Sequence, residues 1–166
     1  MLRRLRSLWR DRRGSALLEA TVVTPFLFVL TFGVYEFSWF FYRQHLTSTG
    51  VHDAARYLAR TSLNPCEASN AANQTNAKNI ATNGVTSGGT ARVPGWTPTN
   101  VTISCPTISR SVCGAATPCV LGTGANLRLV TVSTSYTPAT LGLLGFFGFS
   151  APTISVSHQE RAVGRG

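Results

Sequence analysis

The chain has 166 residues, a formal net charge of +9 and four cysteines, a length that suits one small domain plus one long helix. The positive charge is concentrated at the start, where six arginines and Asp11 give about +5 before Gly14. No later run of basic residues is interleaved with aromatic residues, so the charge pattern disfavours a nucleic-acid-binding protein.

The first predicted element is a long apolar helix. Between Gly14 and Tyr42 the only charged residues are Glu19 and Glu36. Apolar residues cover every side of a helical wheel, unlike a surface helix with one buried stripe. At about 1.5 Å per residue, residues 16–42 reach roughly 40 Å, which is enough to cross a bilayer. The basic leader predicts a cytoplasmic N-terminus, with everything after the helix on the far side of the membrane.

The length and the ending of the apolar run distinguish a membrane anchor from a cleaved secretory signal peptide. Signal peptides have an apolar region of about 7–15 residues and a cut site with small residues. This run is longer and ends in the aromatic residues 39–42, which suit the outer interface of a membrane. We therefore expect an uncleaved span at this end. Glu36, just before the aromatic residues, is expected to be interfacial and solvated.

The junction between leader and helix carries the more specific signal. Gly14 ends the basic leader and leaves an unhindered, extended peptide for a protease. Glu19 stands five residues later, where the helix dipole favours a carboxylate but the membrane makes an unpaired one costly. The alternative is that Glu19 only caps the helix start. Pro25 lacks an N–H and predicts a kink, and the hydroxyls of Thr21 and Thr24 are expected to re-satisfy the backbone there.

Gly14, Glu19, Pro25, Glu36 and the Ala-Ala-Arg-Tyr sequence at residues 54–57 together resemble the TadE-like family. These proteins are pseudopilins, or minor pilins, of the tight-adherence (Flp, type IVc) pilus system. The resemblance implies cleavage by prepilin peptidase after Gly14, with Ser15 as the new N-terminus. It also implies that Glu19 pairs with the N-terminal amine of a neighbouring subunit. Classical type IV pilins have Phe where this chain has Ser15, so methylation of the new terminus is not implied.

The same resemblance implies a location and a set of partners. The protein would be a single-pass protein of the bacterial inner membrane, with its C-terminal domain in the periplasm or outside the cell. Its partners would be prepilin peptidase, other pilin-like subunits and the pilus assembly platform. The alternative is an uncleaved, membrane-anchored periplasmic adaptor that is unrelated to pili.

Beyond the membrane the sequence predicts an α+β head with about three antiparallel strands. Apolar residues at helical spacing (Val51, Ala54, Ala55 and Leu58) extend the first helix as an amphipathic segment, which Asn64 and Pro65 end. A second short helix is predicted at residues 67–83, and strands at residues 100–105, 127–136 and 153–158. The predicted domains are a leader at 1–14, a helix at 15–62 and a head at 63–166. The Leu-, Phe- and Gly-rich residues 137–152 are expected to cover the sheet, with contact to the bilayer or to another subunit as alternatives.

All four cysteines follow the helix, which predicts disulfides formed in an oxidising compartment. Three pairings are possible. Cys113 and Cys119 bracket a short loop, which favours their pairing and leaves Cys66 with Cys105. No two cysteines have the Cys-x-x-Cys spacing and no histidine is near the last three, so a zinc site is disfavoured.

The sequence offers no catalytic constellation. His45, His52 and His158 have no acid placed to orient them, and Glu160 is the only acidic residue after Glu67. No phosphate-cradling loop is present. We therefore predict a protein without catalytic residues, bound metal or cofactor, in which the histidines are ordinary surface residues.

Overall fold

The computed structural model describes residues 12–108, 127–138, 145, 148 and 150–163. Its first element, α1, is a continuous 50-residue helix, Arg12–Thr61. It begins before the predicted start at residue 15 and ends just before Asn64 and Pro65, as expected for residues that disfavour the helical backbone. The N-terminal part of α1 is exposed, and its C-terminal part is packed into the head.

The predicted apolar face of α1 is confirmed in the head. Val51, Ala54, Ala55 and Leu58 are all fully buried. Off this face, His52, Arg56 and Arg60 are exposed, and Asp53 is half-buried. One helix therefore serves two environments, because its apolar residues surround the axis in the first half and form a single stripe in the second.

A second helix, α2, spans Ala71–Asn83 and packs along this part of α1. A short 3₁₀ turn, Ala68–Asn70, precedes it, and Gly84 ends it with a φ of 79°. Glycine suits this left-handed position because it has no Cβ. The face that α2 buries is made of small residues, including Ala77 and Ala81, which lets the two helix backbones approach closely.

The sheet is antiparallel and has four strands: β1 (Val101–Ser104), β2 (Thr107–Ile108), β3 (Leu127–Tyr136) and β4 (Ile154–Arg161). The long strand β3 pairs with all of the others, and β4 pairs with it along the full length from Leu129 to Tyr136. The α+β class and the small antiparallel sheet are thus confirmed. The sequence predicted about three strands because the two-residue strand β2 falls outside the predicted ranges.

β1 and β2 form one interrupted edge strand. Both pair with β3 in the same continuing register, with only Cys105 and Pro106 between them. Proline cannot donate to a strand ladder, which confines it to edges and interruptions. The Pro106 carbonyl nevertheless accepts a hydrogen bond from the Leu129 N–H at 3.1 Å, and this keeps the register across the gap.

The core lies between one face of the sheet and the two helices. On β3, the alternate residues Val130, Val132, Thr134 and Tyr136 are buried. Trp96, almost fully buried, stacks on Tyr136 with ring centroids 5.9 Å apart. Its indole Nε1 donates to Thr134 Oγ1 at 2.9 Å, which satisfies the one polar atom that the ring brings into the core.

A disulfide joins Cys66 to Cys105, with a Cα–Cα distance of 6.0 Å and a sequence separation of 39. It ties the segment after α1 to the interrupted edge strand. Closing a loop of that length stabilises a fold by about 4 kcal/mol in the chain-entropy account. Cys113 and Cys119 lie outside the described residues, as do the leader to residue 11 and most of residues 139–149. The predictions made for them stand as predictions.

Candidate assembly surface

The exposed half of α1 is an apolar surface of unusual extent. Phe26 is 76% exposed and Leu17 is 72% exposed. The other large apolar residues exposed on this half of the helix are Leu18, Val22, Val23, Leu27, Phe28, Val29, Leu30, Phe32, Val34, Tyr35, Phe37, Trp39, Phe41 and Tyr42. Soluble monomers rarely leave so large an apolar patch in water. Among the described residues, α1 is the one helix long and apolar enough to cross a membrane.

The apolar half of α1 is continuous with the head. The same unbroken helix that carries the apolar surface inserts Val51 and Leu58 into the head core. A helix of this length and composition near the N-terminus is consistent with a single-pass membrane anchor.

An aromatic cluster marks the place where the span meets the head. The rings of Trp39 and Tyr42 stack at 5.4 Å, and the Arg43 guanidinium lies 5.5 Å from the centre of the Trp39 ring. Phe40 and Leu46 already pack against the head core. Aromatic and basic side chains of this kind suit a membrane–water interface. The head therefore begins directly at the end of the span, with no flexible linker between them.

The exposure of Glu36 differs from our prediction. We predicted a solvated carboxylate, but Glu36 is only 8% exposed. Glu36 lies one turn before Phe40, which packs against the head core. Glu36 thus belongs to the enclosed junction between span and head rather than to the open interface.

Glu19 occupies the exposed apolar surface near the start of α1. No hydrogen bond or ion pair joins its carboxylate to any other residue in the described part of the chain. Ser15 lies four residues earlier, one turn away on the same side of the helix. Gly14 and Ser15 are helical rather than extended, because α1 begins at Arg12. A Cβ at Gly14 would have no heavy atom within 4 Å.

Pro25 sits inside the continuous helix, and the nearby hydroxyls do not act as predicted. Thr21 Oγ1 donates to the Leu17 carbonyl at 2.7 Å, and Thr24 Oγ1 donates to the Ala20 carbonyl at 2.6 Å. Neither hydroxyl therefore bonds the Thr21 carbonyl, which is the acceptor that Pro25 deprives of its amide. They satisfy their own donors within the apolar span, which is what a hydroxyl in lipid requires. A kink at Pro25 stays a prediction.

A cluster of titratable residues lies on the head, away from the span, and corrects the sequence-based view of the histidines. Glu160 Oε1 is 3.1 Å from His158 Nε2 and 3.9 Å from His52 Nε2. An acid is therefore placed beside two of the three histidines. The usable signal was the alternation in β4, since His158 and Glu160 are two residues apart and must share a face. That His52 meets the same face depends on tertiary packing.

The comparison with protein families finds a match on the first helix, α1. Residues 14–56 match the sequence model of a family described as TadE-like protein. The matched segment contains the exposed span, the aromatic cluster and the first part of the buried stripe, and it confirms the resemblance stated above. No curated protein and no solved structure matches the chain.

Proposed function

We propose that this protein is a pilin-like subunit of a tight-adherence (Flp, type IVc) pilus system, anchored in the bacterial inner membrane and processed by prepilin peptidase after Gly14. The observation that carries the proposal is the TadE-like match over residues 14–56, on a helix that is apolar and exposed on all sides in its first half. The coarser conclusion, a pilus-related protein with a membrane anchor, fits both observations directly.

The exposed surface supports assembly rather than chemistry. A span of apolar side chains can contact lipid or the equivalent spans of other subunits. We propose other pilin-like subunits and the pilus assembly platform as partners. The arginine-rich leader supports an N-terminus in the cytoplasm and a head in the periplasm or outside the cell.

Processing requires the first turn of α1 to open. Gly14 lies in the first described turn of α1. Glycine costs a helix about 1 kcal/mol relative to alanine. Gly14 therefore lowers the cost of unwinding this turn into the extended form that a protease binds. Removal of residues 1–14 would leave the amine of Ser15 at the membrane surface, one turn from Glu19.

The second candidate is an uncleaved, membrane-anchored periplasmic adaptor. One observation favours it: α1 runs through Gly14 without a break from Arg12. In that case the leader stays attached and Glu19 only stabilises the start of the helix.

Mass spectrometry of the N-terminus separates the two candidates. In protein purified from membranes of the native host, we expect a chain that begins at Ser15. Gly14→Leu should retain the leader, because a bulky side chain does not fit a subsite that takes glycine. Gly33→Leu is the matched control, since Gly33 also lies in α1 with no neighbour within 4 Å, and it should be processed normally. A wild-type protein that begins at Met1 would establish the adaptor instead.

A further inference from the structure

His52, His158 and Glu160 lie together on the head, and their possible ligand atoms are all within 4.8 Å of one another. We propose that these three residues form a binding site for a divalent transition metal of the zinc class, which ties α1 to the last strand of the sheet. The site is separate from the membrane span and does not depend on the proposed role in a pilus.

The three side chains project from backbone that is held in place by the core. His52 directly follows the fully buried Val51 on α1. On β4, His158 and Glu160 are paired with Val132 and Val130 of the central strand, both of which are also fully buried. The backbone on both sides of the cluster is therefore held by the core, while the side chains remain free to adjust.

The geometry is close to that of a metal site. The two imidazole rings lie 4.5 Å apart between centroids, and Glu160 Oε1 is within 4 Å of a nitrogen of each. Zinc binds imidazole nitrogen and carboxylate oxygen at about 2.0–2.2 Å, which places tetrahedral ligands roughly 3.4 Å apart. Moving the ligand atoms inward by about 1 Å would close the site. Side-chain rotation alone can supply such a movement.

The donor set and the exposure fit an open site. Two neutral imidazoles and a carboxylate form a ligand set that is found around zinc, with a fourth position left for water or another ligand. The side chain of His52 is 47% exposed, and those of His158 and Glu160 are each 35% exposed. Metal can therefore reach the cluster from solvent, and water can complete the coordination.

Metal binding is expected to strengthen the attachment of the segment after β4 to α1. Beyond β4 the Ala162 N–H donates to the Arg128 carbonyl at 2.9 Å, and the Val163 N–H donates to the Ala59 carbonyl of α1 at 2.7 Å. A metal held by His52 and β4 would add a second tie between this terminal segment and α1, beside the bond from Val163 to Ala59. Because a ligand that binds only the folded state stabilises it, zinc should raise the unfolding temperature of the head.

Zinc titration of the full chain tests the site. Tag-free protein in detergent micelles, with its disulfides intact and treated with a chelator, would be titrated with ZnCl₂ by calorimetry, and its thermal unfolding would be followed with and without Zn²⁺. We expect one zinc bound per chain and a higher unfolding temperature. His52→Ala, His158→Ala and Glu160→Gln should each weaken binding at least about tenfold, since even a second-shell partner contributes about 10–100-fold to metal affinity.

The chain supplies its own control. Of its three histidines, only His45 lies outside the cluster, exposed on α1 two turns before His52. His45→Ala should bind zinc like the wild type. Glu160→Gln preserves side-chain size and serves as the test if a histidine variant does not fold, which circular dichroism would report. The proposal is overturned by wild-type protein that binds no zinc, or by His52→Ala and Glu160→Gln variants that fold and bind it as the wild type does.

Discussion

The hydroxyl of Tyr136 is a polar group that the fold keeps inside the core. It lies 2.9 Å from Thr47 Oγ1 on α1 and joins the helix to the central strand. Burial raises the pKa of Tyr136 above its ordinary value of 10.0, while the hydrogen bond with Thr47 and the positive charge of Arg43 partly lower it. The folded chain therefore holds the phenolic proton at pH values where the unfolded chain has released it.

This difference predicts a loss of stability in alkali. The contribution of Tyr136 is fully present below about pH 10 and is lost as pH rises through the higher pKa of the folded state. Tyr136→Phe cannot ionise, so its unfolding free energy should fall less steeply above about pH 10. At neutral pH the variant should lose about 1 kcal/mol, the usual net value of one hydrogen bond. Chemical denaturation at about pH 8 and about pH 10.5 measures both effects. Parallel pH dependence in the two proteins would contradict the assignment to Tyr136.

The close contact between α1 and α2 depends on Gly50, which has no side chain. A Cβ at Gly50 would collide with the Ala81 carbonyl oxygen and lie 2.8 Å from Trp96 Cη2. Gly50→Ala should therefore destabilise the head by about 1–3 kcal/mol through overpacking, although alanine is the better helix former by about 1 kcal/mol. Gly33→Ala has no neighbour to meet and should leave head stability unchanged. Thermal unfolding of the two variants gives the comparison, and equal stability would show that α2 shifts freely.

The elements differ in how far the sequence could specify them. The two-part character of α1 was predictable, because an apolar residue on every side of the helix and a single apolar stripe are both local patterns. The continuation of the edge strand as β2 after Pro106 was not predicted, because a two-residue strand that follows a proline leaves no alternating pattern in the sequence. The cluster around Glu160 was missed for a different reason: its three residues come from α1 and β4, about 100 positions apart.

At the scale of the molecule, the span and the head are parts of one continuous helix. Phe40 and Leu46, near the end of the apolar half of α1, pack against the head core, so the head follows that half without a flexible linker. The sequence predicted both the apolar span and the resemblance to the TadE-like family from one segment, which includes the matched residues 14–56, whereas the inner arrangement of the head required the structure.

The assembly proposal depends on Glu19. Its carboxylate stands among apolar side chains without an ion pair in the described chain, and burying it unpaired in lipid costs several kcal/mol. Cleavage after Gly14 would give each subunit a new ammonium group at Ser15, at a similar depth. A pair between Glu19 of one subunit and Ser15 of the next would offset that cost and set the axial register of the spans.

Glu19→Val should therefore insert into the membrane but fail to assemble. Truncating one partner of a buried charge pair costs about 3–5 kcal/mol, which corresponds to at least about a hundredfold loss in association. Thr21→Val is the matched control, since it also removes a polar group from the exposed span, but one whose hydroxyl is satisfied within its own helix. Cross-linking and pull-down of other pilin-like subunits measure assembly, and resistance to alkaline extraction measures insertion. If Glu19→Val inserts and assembles as well as Thr21→Val, Glu19 only stabilises the start of the helix and the subunits join by other contacts.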